Sequence, residues 1–393
     1  MSNDTSEFLR EIQGIILLIF HQHGVNISVR ELLEKDQVTY DNLVEMLNNT
    51  QSSILKIHIR DGRNIPNEIM REYRAAVVKK YIGLLTDEEH KEILRFDEEQ
   101  LVLPSEFQNY NSYKLIKSLS DDLIPSIEKC GYHLKEIPII ASTQTFQFNA
   151  MAIGAHRGSK PLILFDDEAF TCCHLISKIF TNSLGEGEDN IRVDYDGLTR
   201  HLNQHPEIDI KFRELIQASY KRESFHTIQA FPFITKELLR YYNVVTNSME
   251  YFLLGHEFGH IIKGHLENKN FMNASSTGHF ELIPSWEKEY EADYVGLRLA
   301  LTTLQNGNSP PQFHLIGIDI LYTYLQIIDE YSALLKDQDE LFYSFKRTHP
   351  PPSVRRDKLR QHFMDIRQDE DGLKAAKIAS EILFELWLSL IHI

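Results

Sequence analysis

The stretch Tyr251-Phe-Leu-Leu-Gly-His256-Glu257-Phe-Gly-His260 contains one His-Glu-x-x-His pattern. On an α-helix, side chains four positions apart lie on the same face one turn apart, so His256 and His260 can present two imidazoles to one metal ion. Glu257 points to the side, where its carboxylate can reach a water molecule at the ion without becoming a ligand. Zinc with two histidine ligands, one glutamate ligand and an open position is the hydrolytic form of such a site, in which the carboxylate takes the proton of the attacking water.

The surroundings of this pattern decide between a metal site and a coincidence, because about one chain in twenty of this composition would carry it by chance. Residues 249–266 are apolar on most sides, which predicts a buried helix, and Met249 and Phe252 continue the stripe that leads to the histidines. Two buried imidazoles need polar partners, which a metal would supply. Gly255 and Gly259 lower helix propensity and indicate that another segment packs close to this backbone.

The composition of the chain is that of a soluble globular protein, with 393 residues, 42% of them hydrophobic and 25% charged. A net charge of −16 with no basic tract argues against nucleic-acid binding. Cys130, Cys172 and Cys173 are odd in number, which predicts no disulfide framework and a reducing, cytoplasmic location. The N-terminus lacks the basic start of a signal peptide and no apolar run is long enough to span a bilayer, so we expect no membrane span.

Apolar spacing divides the chain into a helical beginning and a mixed remainder. Residues 1–125 are predicted to be all-helical, either as a domain that regulates or binds a partner or, with equal weight, as a buttress for the rest. Short strands are expected at residues 137–142, 145–152 and 161–165, ahead of a helical body, so the predicted fold class is predominantly helical α+β. The polar, acidic residues 182–212 are expected to form an insertion or a mobile loop.

A zinc hydrolase of this kind needs a third ligand, and the helix predicted from Ser285 to about Leu304 offers several acids. If Glu289 binds the metal, Asp293 lies one turn further on and can accept a hydrogen bond from a ligand histidine, which fixes the tautomer of that ring. The alternative is a solvated acidic face, but the apolar residues between the acids indicate burial, and buried acids need a reason. Glu287 and Glu291 remain rival ligands on chemistry alone.

Together these segments resemble the zinc metallopeptidases that include the CAAX prenyl proteases, HtpX and the Oma-type mitochondrial protease. The matching motifs are His256-Glu-Phe-Gly-His260-Ile-Ile-Lys-Gly-His265, Glu289-Tyr-Glu-Ala-Asp293-Tyr-Val-Gly296 and His349-Pro-Pro-Pro-Ser-Val-Arg355. The resemblance implies a gluzincin with a zincin-like core and one zinc ion per chain. It assigns the third zinc ligand to Glu289 and the acid that supports a ligand histidine to Asp293.

The resemblance also implies roles outside the metal ligands. Asn149 and Ala150 resemble the Asn-Ala strand of the family, which lines the cleft and pairs with substrate backbone by β-addition. His349 and Arg355 are implied to lie near the active site, where they can stabilise an oxyanion or contact the substrate. Alone, His349 would be read as a turn residue before the prolines. His265 is treated as structural, because it is five positions from His260 and is expected to face elsewhere.

The resemblance covers roughly residues 130–365, and the expected domain is a zincin-like unit over residues 126–365. The interval from Asn149 to His256 is longer than in the family, which indicates an insertion at about residues 171–245. The family members named are mostly membrane-embedded or membrane-tethered, so their substrates are not expected to carry over. Residues 366–393 are expected to form an amphipathic helix packed on the core.

These observations predict a zinc-dependent endopeptidase that acts on cytosolic proteins or peptides, with Glu257 as general base and later as proton donor to the leaving amine. The added segments, residues 1–125 or the insertion, are expected to restrain it until a signal or a regulatory partner arrives. One alternative is a catalytically silent zinc-binding regulatory or scaffold protein. The other is a helical interaction protein in which the His-Glu-x-x-His pattern is a coincidence.

Overall fold

The computed structural model describes residues 9, 10, 13, 104, 105, 109–143, 149–155, 159–184, 200–202, 204–221, 223, 225, 228, 236–266, 286–305, 311–335 and 349–391. Within them the fold is predominantly helical, with one small three-stranded sheet, so the predicted α+β class is confirmed at this level. In chain order the main elements are α1 (Tyr110–Lys129), β1 (Ile139–Thr143), β2 (Ala150–Ile153), β3 (Leu162–Asp166), α2 (Asp167–Ser183), α3 (Pro206–Lys221), α4 (Lys236–Ile262), α5 (Trp286–Gln305), α6 (Ile316–Leu334), α7 (Pro352–Arg367) and α8 (Glu370–Ile391).

The sheet has the strand order β1-β3-β2, with β1 parallel and β2 antiparallel to β3. β1 and β3 are buried along their whole length, as the continuous apolar runs of both strands require. In the described part of the sheet, β2 is paired on one side only. The backbone N–H of Asp166 donates to the carbonyl of Asn149 at 3.0 Å, so Asn149 is a residue whose backbone groups face β3. In an antiparallel ladder every second residue faces the partner strand, so the backbone groups of Ala150 and Ala152 point away from β3.

The described parts of the segment expected as an insertion contribute to the core. α2 begins directly after β3, where the Asp166 carboxylate accepts a hydrogen bond from the N–H of Glu168 at 3.0 Å. Residues 206–212, part of the stretch predicted as an insertion or a mobile loop, form the first turns of α3, so the mobile-loop alternative is wrong for these residues. The polar residues of this helix mask an apolar stripe at helical spacing, from which Phe212 and Leu215 are fully buried.

Helices α4 and α5 pack backbone to backbone. A Cβ atom added to Gly259 would lie 2.8 Å from the Cα of Ala292, and one added to Gly255 would lie 3.1 Å from the Cα of Gly296. A Cβ on Gly296 would in turn lie 2.8 Å from the backbone nitrogen of His256. The prediction that another segment packs close to the glycines of the His-Glu-x-x-His helix is therefore confirmed. This contact sets the first turns of α5 opposite the two histidines.

The C-terminal helices complete the body around this pair. Arg360 of α7 donates to both carboxylate oxygens of buried Asp319 on α6, at 2.8 and 2.7 Å. α8 buries an apolar stripe that includes Ile382 and Leu386, and this stripe packs on the core. That helix begins at Glu370 because Asp369 accepts a hydrogen bond from the N–H of Gly372 at 2.9 Å.

The described part of the N-terminal region packs on the same body. α1 crosses the expected domain boundary at residue 125, and both Ile116 before it and Ile127 after it are buried in the main core. Leu9 is fully buried in a small apolar cluster whose other members, Ala141 among them, belong to the sheet. Apart from residues 9, 10, 13, 104, 105 and 109–125, the region predicted as N-terminal helices lies outside the described residues. Among the helices that are described, none is long and apolar enough to cross a membrane.

Candidate metal centre

Three side chains converge between α4 and α5. The Nε2 atoms of His256 and His260 are 3.1 Å apart, as expected for residues one helical turn apart. The carboxylate of Glu289 reaches across from α5, with Oε2 3.6 Å from Nε2 of His256 and Oε1 3.5 Å from Nε2 of His260. One ligand atom from each residue lies within 4.8 Å of the others. The close packing at Gly259 permits this approach, because any side chain there would separate the helices.

The chemistry of this triad fits a zinc ion. His256, His260 and Glu289 are 9, 8 and 8% exposed. Oε2 of Glu289 is buried and accepts no hydrogen bond from any described residue, and the guanidinium of Arg355 lies 3.5 Å away as an ion-pair partner. A bound cation would satisfy the oxygen more fully, because a buried carboxylate oxygen without a hydrogen bond is costly. Burial, together with the neighbouring His256 and His265, holds the pKa of His260 well below its usual range, so the ring is neutral, as a metal ligand must be. Two imidazoles and one carboxylate form a donor set that zinc prefers.

Asp293 supports the first histidine. Its Oδ1 atom is 3.0 Å from Nδ1 of His256 and accepts a hydrogen bond from Tyr322 Oη at 2.9 Å. Arg355 donates to the same carboxylate from Nε at 2.8 Å and from Nη2 at 2.6 Å. Burial alone would raise the pKa of Asp293, but the guanidinium of Arg355 holds it well below the usual range. The ionised carboxylate is an acceptor for a proton on Nδ1 of His256 and, against the effect of burial, raises the pKa of that ring. A metal at the triad would take the place of the proton on Nε2, with Asp293 still holding the one on Nδ1.

His349 and Arg355, which sequence placed near the site, both lie beside Glu289. Nη1 of Arg355 is 3.5 Å and Nε2 of His349 is 3.7 Å from Oε2 of Glu289. The two differ in exposure, since the side chain of Arg355 is 10% exposed and that of His349 is 31% exposed. Arg355 is engaged by two carboxylates inside the protein, whereas His349 stands at the accessible side of the triad.

Glu257 links the histidine helix to the sheet. Its side chain is buried, and the backbone N–H of Ala152 donates a hydrogen bond to its carboxylate. Burial raises the pKa of Glu257 to about 7, close to the value that a general base needs at neutral pH. Because Ala150 presents its backbone groups on the same edge of β2, that edge runs past Glu257. Asn149 is adjacent, with its carbonyl directed towards β3.

The expectation that His265 faces away from the site is wrong. α4 ends at Ile262, Gly264 adopts φ of 67°, and the chain turns back so that the N–H of His265 donates to the carbonyl of His260 at 3.0 Å. Nδ1 of His265 then lies 3.1 Å from Nδ1 of His260. The signal in the sequence was Gly264, a residue type favoured just past the end of a helix.

The rival acids of α5 are separated by the structure. Glu291 is 55% exposed at its side chain and contacts Nε2 of His265 at 2.9 Å. Glu287 is exposed. Of the acids in the first turns of α5, Glu289 is therefore the one that reaches both histidines. Tyr322, which supports Asp293, belongs to no motif and could not be found from the sequence.

Comparison of the chain with protein-family models, with curated proteins and with solved structures gives no match.

Proposed function

We propose that the chain is a zinc-dependent endopeptidase of the zincin type, which hydrolyses peptide bonds in proteins or peptides. The observation that supports this most strongly is the convergence of His256, His260 and Glu289 beside the buried carboxylate of Glu257. Zinc held by the three ligand side chains would supply Lewis acidity and make water a nucleophile at neutral pH.

Glu257 would carry the proton in this reaction. Its carboxylate would accept a proton from the attacking water and later donate it to the leaving amine. In the metal-free chain burial raises the pKa of Glu257 to about 7, so neither of its protonation states is strongly disfavoured near neutral pH. The hydrogen bond from Ala152 holds the carboxylate in place and favours its ionised form.

The edge of β2 would bind the substrate. An extended peptide can add to a strand through backbone hydrogen bonds, and the outward N–H and C=O groups of Ala150 are available in register for this on the described sheet. A peptide bound there would run past Glu257, since Ala152 of the same edge already contacts that carboxylate. Asn149 would fix the start of the edge through its bond to Asp166.

Two further side chains beside the triad, those of Arg355 and His349, would have different roles. Arg355 is a positioning residue, because its guanidinium is committed to Asp293 by two hydrogen bonds. His349 is better situated to meet a developing oxyanion, being partly exposed and 3.7 Å from Glu289. This refines the expectation that both residues assist the oxyanion or the substrate.

The test compares wild type with Glu257→Gln and with Glu250→Gln, a matched acid-to-amide change on the same helix. Elemental analysis should find about one zinc per chain in all three proteins, since Glu257 is not a ligand. Cleavage of a peptide library should fall by about a thousandfold in Glu257→Gln and persist in Glu250→Gln. Full activity in Glu257→Gln would remove that residue from the reaction. Zinc without cleavage in wild type would favour a silent zinc-binding protein.

A further inference from the structure

We propose that His265 and Glu291 form a second positioning relay, which orients His260 as Asp293 orients His256. The inference rests on the proposed metal centre. Each histidine of the triad turns Nε2 towards the shared centre, and each has a partner at its other ring nitrogen. For His256 this partner is the Asp293 carboxylate at 3.0 Å, and for His260 it is Nδ1 of His265 at 3.1 Å.

The direction of the hydrogen bonds in the relay follows from the ring chemistry. If Nε2 of His260 offers its lone pair to a metal, the neutral ring must carry its proton on Nδ1. That N–H can donate only to a ring nitrogen without a proton, so His265 must accept at Nδ1 and carry its own proton on Nε2. This N–H then points at Oε2 of Glu291, 2.9 Å away, which is an acceptor. All three groups are satisfied by this single arrangement.

The backbone holds the relay in place independently of the ring contacts. The left-handed conformation at Gly264 and the bond from the N–H of His265 to the carbonyl of His260 return the chain towards the triad. Lys288 of α5 donates to the carbonyl of His265 at 3.2 Å, next to Glu291 on the same helix. The imidazole of His265 is buried, whereas Glu291 is more than half exposed. The relay therefore runs from the metal centre to the surface.

The two supports differ in strength. Asp293 is buried and receives two further hydrogen bonds from Arg355, so the orientation of His256 is over-determined. His260 depends on one imidazole whose own partner is exposed to solvent. Loss of the His265 ring should therefore weaken zinc binding through His260 while leaving Asp293 and Glu257 unchanged.

The test measures zinc affinity by competition with a chromophoric chelator, in purified full-length chain. His265→Leu removes the acceptor and should weaken zinc binding by about 10- to 100-fold, the usual effect of losing such a partner. His265→Asn places an acceptor oxygen near the position of Nδ1 and should restore affinity to within about threefold of wild type, whereas His265→Gln places its oxygen near Nε2 and should not. Lys288→Ala is the matched control, because Lys288 bonds the backbone of His265 and not its ring.

The outcomes separate the relay from the function it serves. If the wild-type chain binds no zinc, the proposed metal centre is wrong. A wild-type chain that binds zinc while His265→Leu binds it equally well would overturn the relay alone. Equal losses in His265→Leu and Lys288→Ala would also overturn it, since the turn and not the ring would then matter. Should His265→Leu fail to fold, the pair His265→Asn and His265→Gln decides, because equal affinity in these two is incompatible with an acceptor at Nδ1.

Discussion

Arg355 and Asp293 form a bidentate ion pair, with Nε to Oδ2 at 2.8 Å and Nη2 to Oδ1 at 2.6 Å, inside a protein in which both residues are buried. The pair joins α7 to α5 directly behind the candidate metal ligand His256. Through Asp293, it connects the last motif of the sequence to His256 by charged hydrogen bonds, in addition to the apolar packing of α7 on the core. A substitution of Arg355 should therefore alter the orientation of His256 at the metal centre, even if Arg355 does not contact the substrate.

Removing one member of this pair should therefore lower the free energy of unfolding more than removing both members does. Arg355→Leu leaves the Asp293 carboxylate without its main counter-charge and is expected to lower the free energy of unfolding by about 3–5 kcal/mol. Arg355→Leu combined with Asp293→Leu removes the buried charge and should be the milder change. Urea denaturation of the metal-free proteins measures both values. A double variant less stable than Arg355→Leu would contradict this account of the pair.

The approach of α4 to α5 predicts a graded response to added methyl groups. Gly259→Ala would place a Cβ 2.8 Å from the Cα and the carbonyl oxygen of Ala292, so the helices must separate. We expect a loss of about 1–3 kcal/mol in stability and weaker zinc binding, because Glu289 is carried on the displaced helix. Gly255→Ala, with a nearest backbone distance of 3.1 Å, is the control and should have the smaller effect on both measurements. The reverse order would show that the contact at Gly259 does not position Glu289.

Glu250 gives the protein a predictable dependence on pH. Burial raises the pKa of this carboxyl from 4.5 to about 8, and His174 lies 3.4 Å from its Oε1 atom. The folded state thus keeps a proton that the unfolded chain loses, so its contribution to stability is complete below pH 4.5 and declines until the pH passes about 8. Glu250→Gln removes this decline.

The variant is accordingly expected to be more stable than wild type by about 2–4 kcal/mol at pH 8, with little difference at pH 5. Thermal and urea unfolding of the metal-free proteins across this range provides the measurement. A constant difference at every pH would mean that Glu250 does not hold its proton in the folded state.

The parts of this architecture that the sequence predicted are those governed by local periodicity. The spacing of His256 and His260 and of Glu289 and Asp293 places each pair on one helical face whatever surrounds it. Composition predicted structure less well. The acidic residues in the first turn of α3 suggested a loop, although this helix carries an apolar stripe in which Phe212 is buried. The start of α4 at Lys236 was also missed, since its earlier turns carry no motif.

The parts that could not be predicted depend on contacts between elements. His265 was assigned an outward direction by helical geometry, yet the helix ends three residues earlier and the turn at Gly264 reverses that direction. Glu291 could be excluded as a third ligand only once α5 was seen against α4. The hydrogen bonds from Arg355 to Asp293 likewise form because α7 packs against α5, and residue spacing within one segment does not predict such packing.

The N–H of Ala152 allows the role of Glu257 to be tested without altering Glu257. This group points away from β3, so Ala152→Pro removes the donor to the Glu257 carboxylate without removing a hydrogen bond from the ladder. Because that hydrogen bond lowers the pKa of Glu257, its loss should raise the pKa further. Glu257 acts as a base only when ionised, so peptide hydrolysis should fall more at pH 6 than at pH 8, and the acid limb of kcat/KM should move to higher pH.

Ala150→Pro is the matched control for this experiment. It removes another outward N–H from the same edge, but this N–H does not contact Glu257. Only the addition of the substrate as a strand is then impaired, so KM should rise while the acid limb of kcat/KM stays in place. Steady-state kinetics of the two variants between pH 5.5 and 9 separate the effects on KM from those on the acid limb. An acid limb that moves equally in both variants would show that the edge, and not the hydrogen bond from Ala152, governs the ionisation of Glu257.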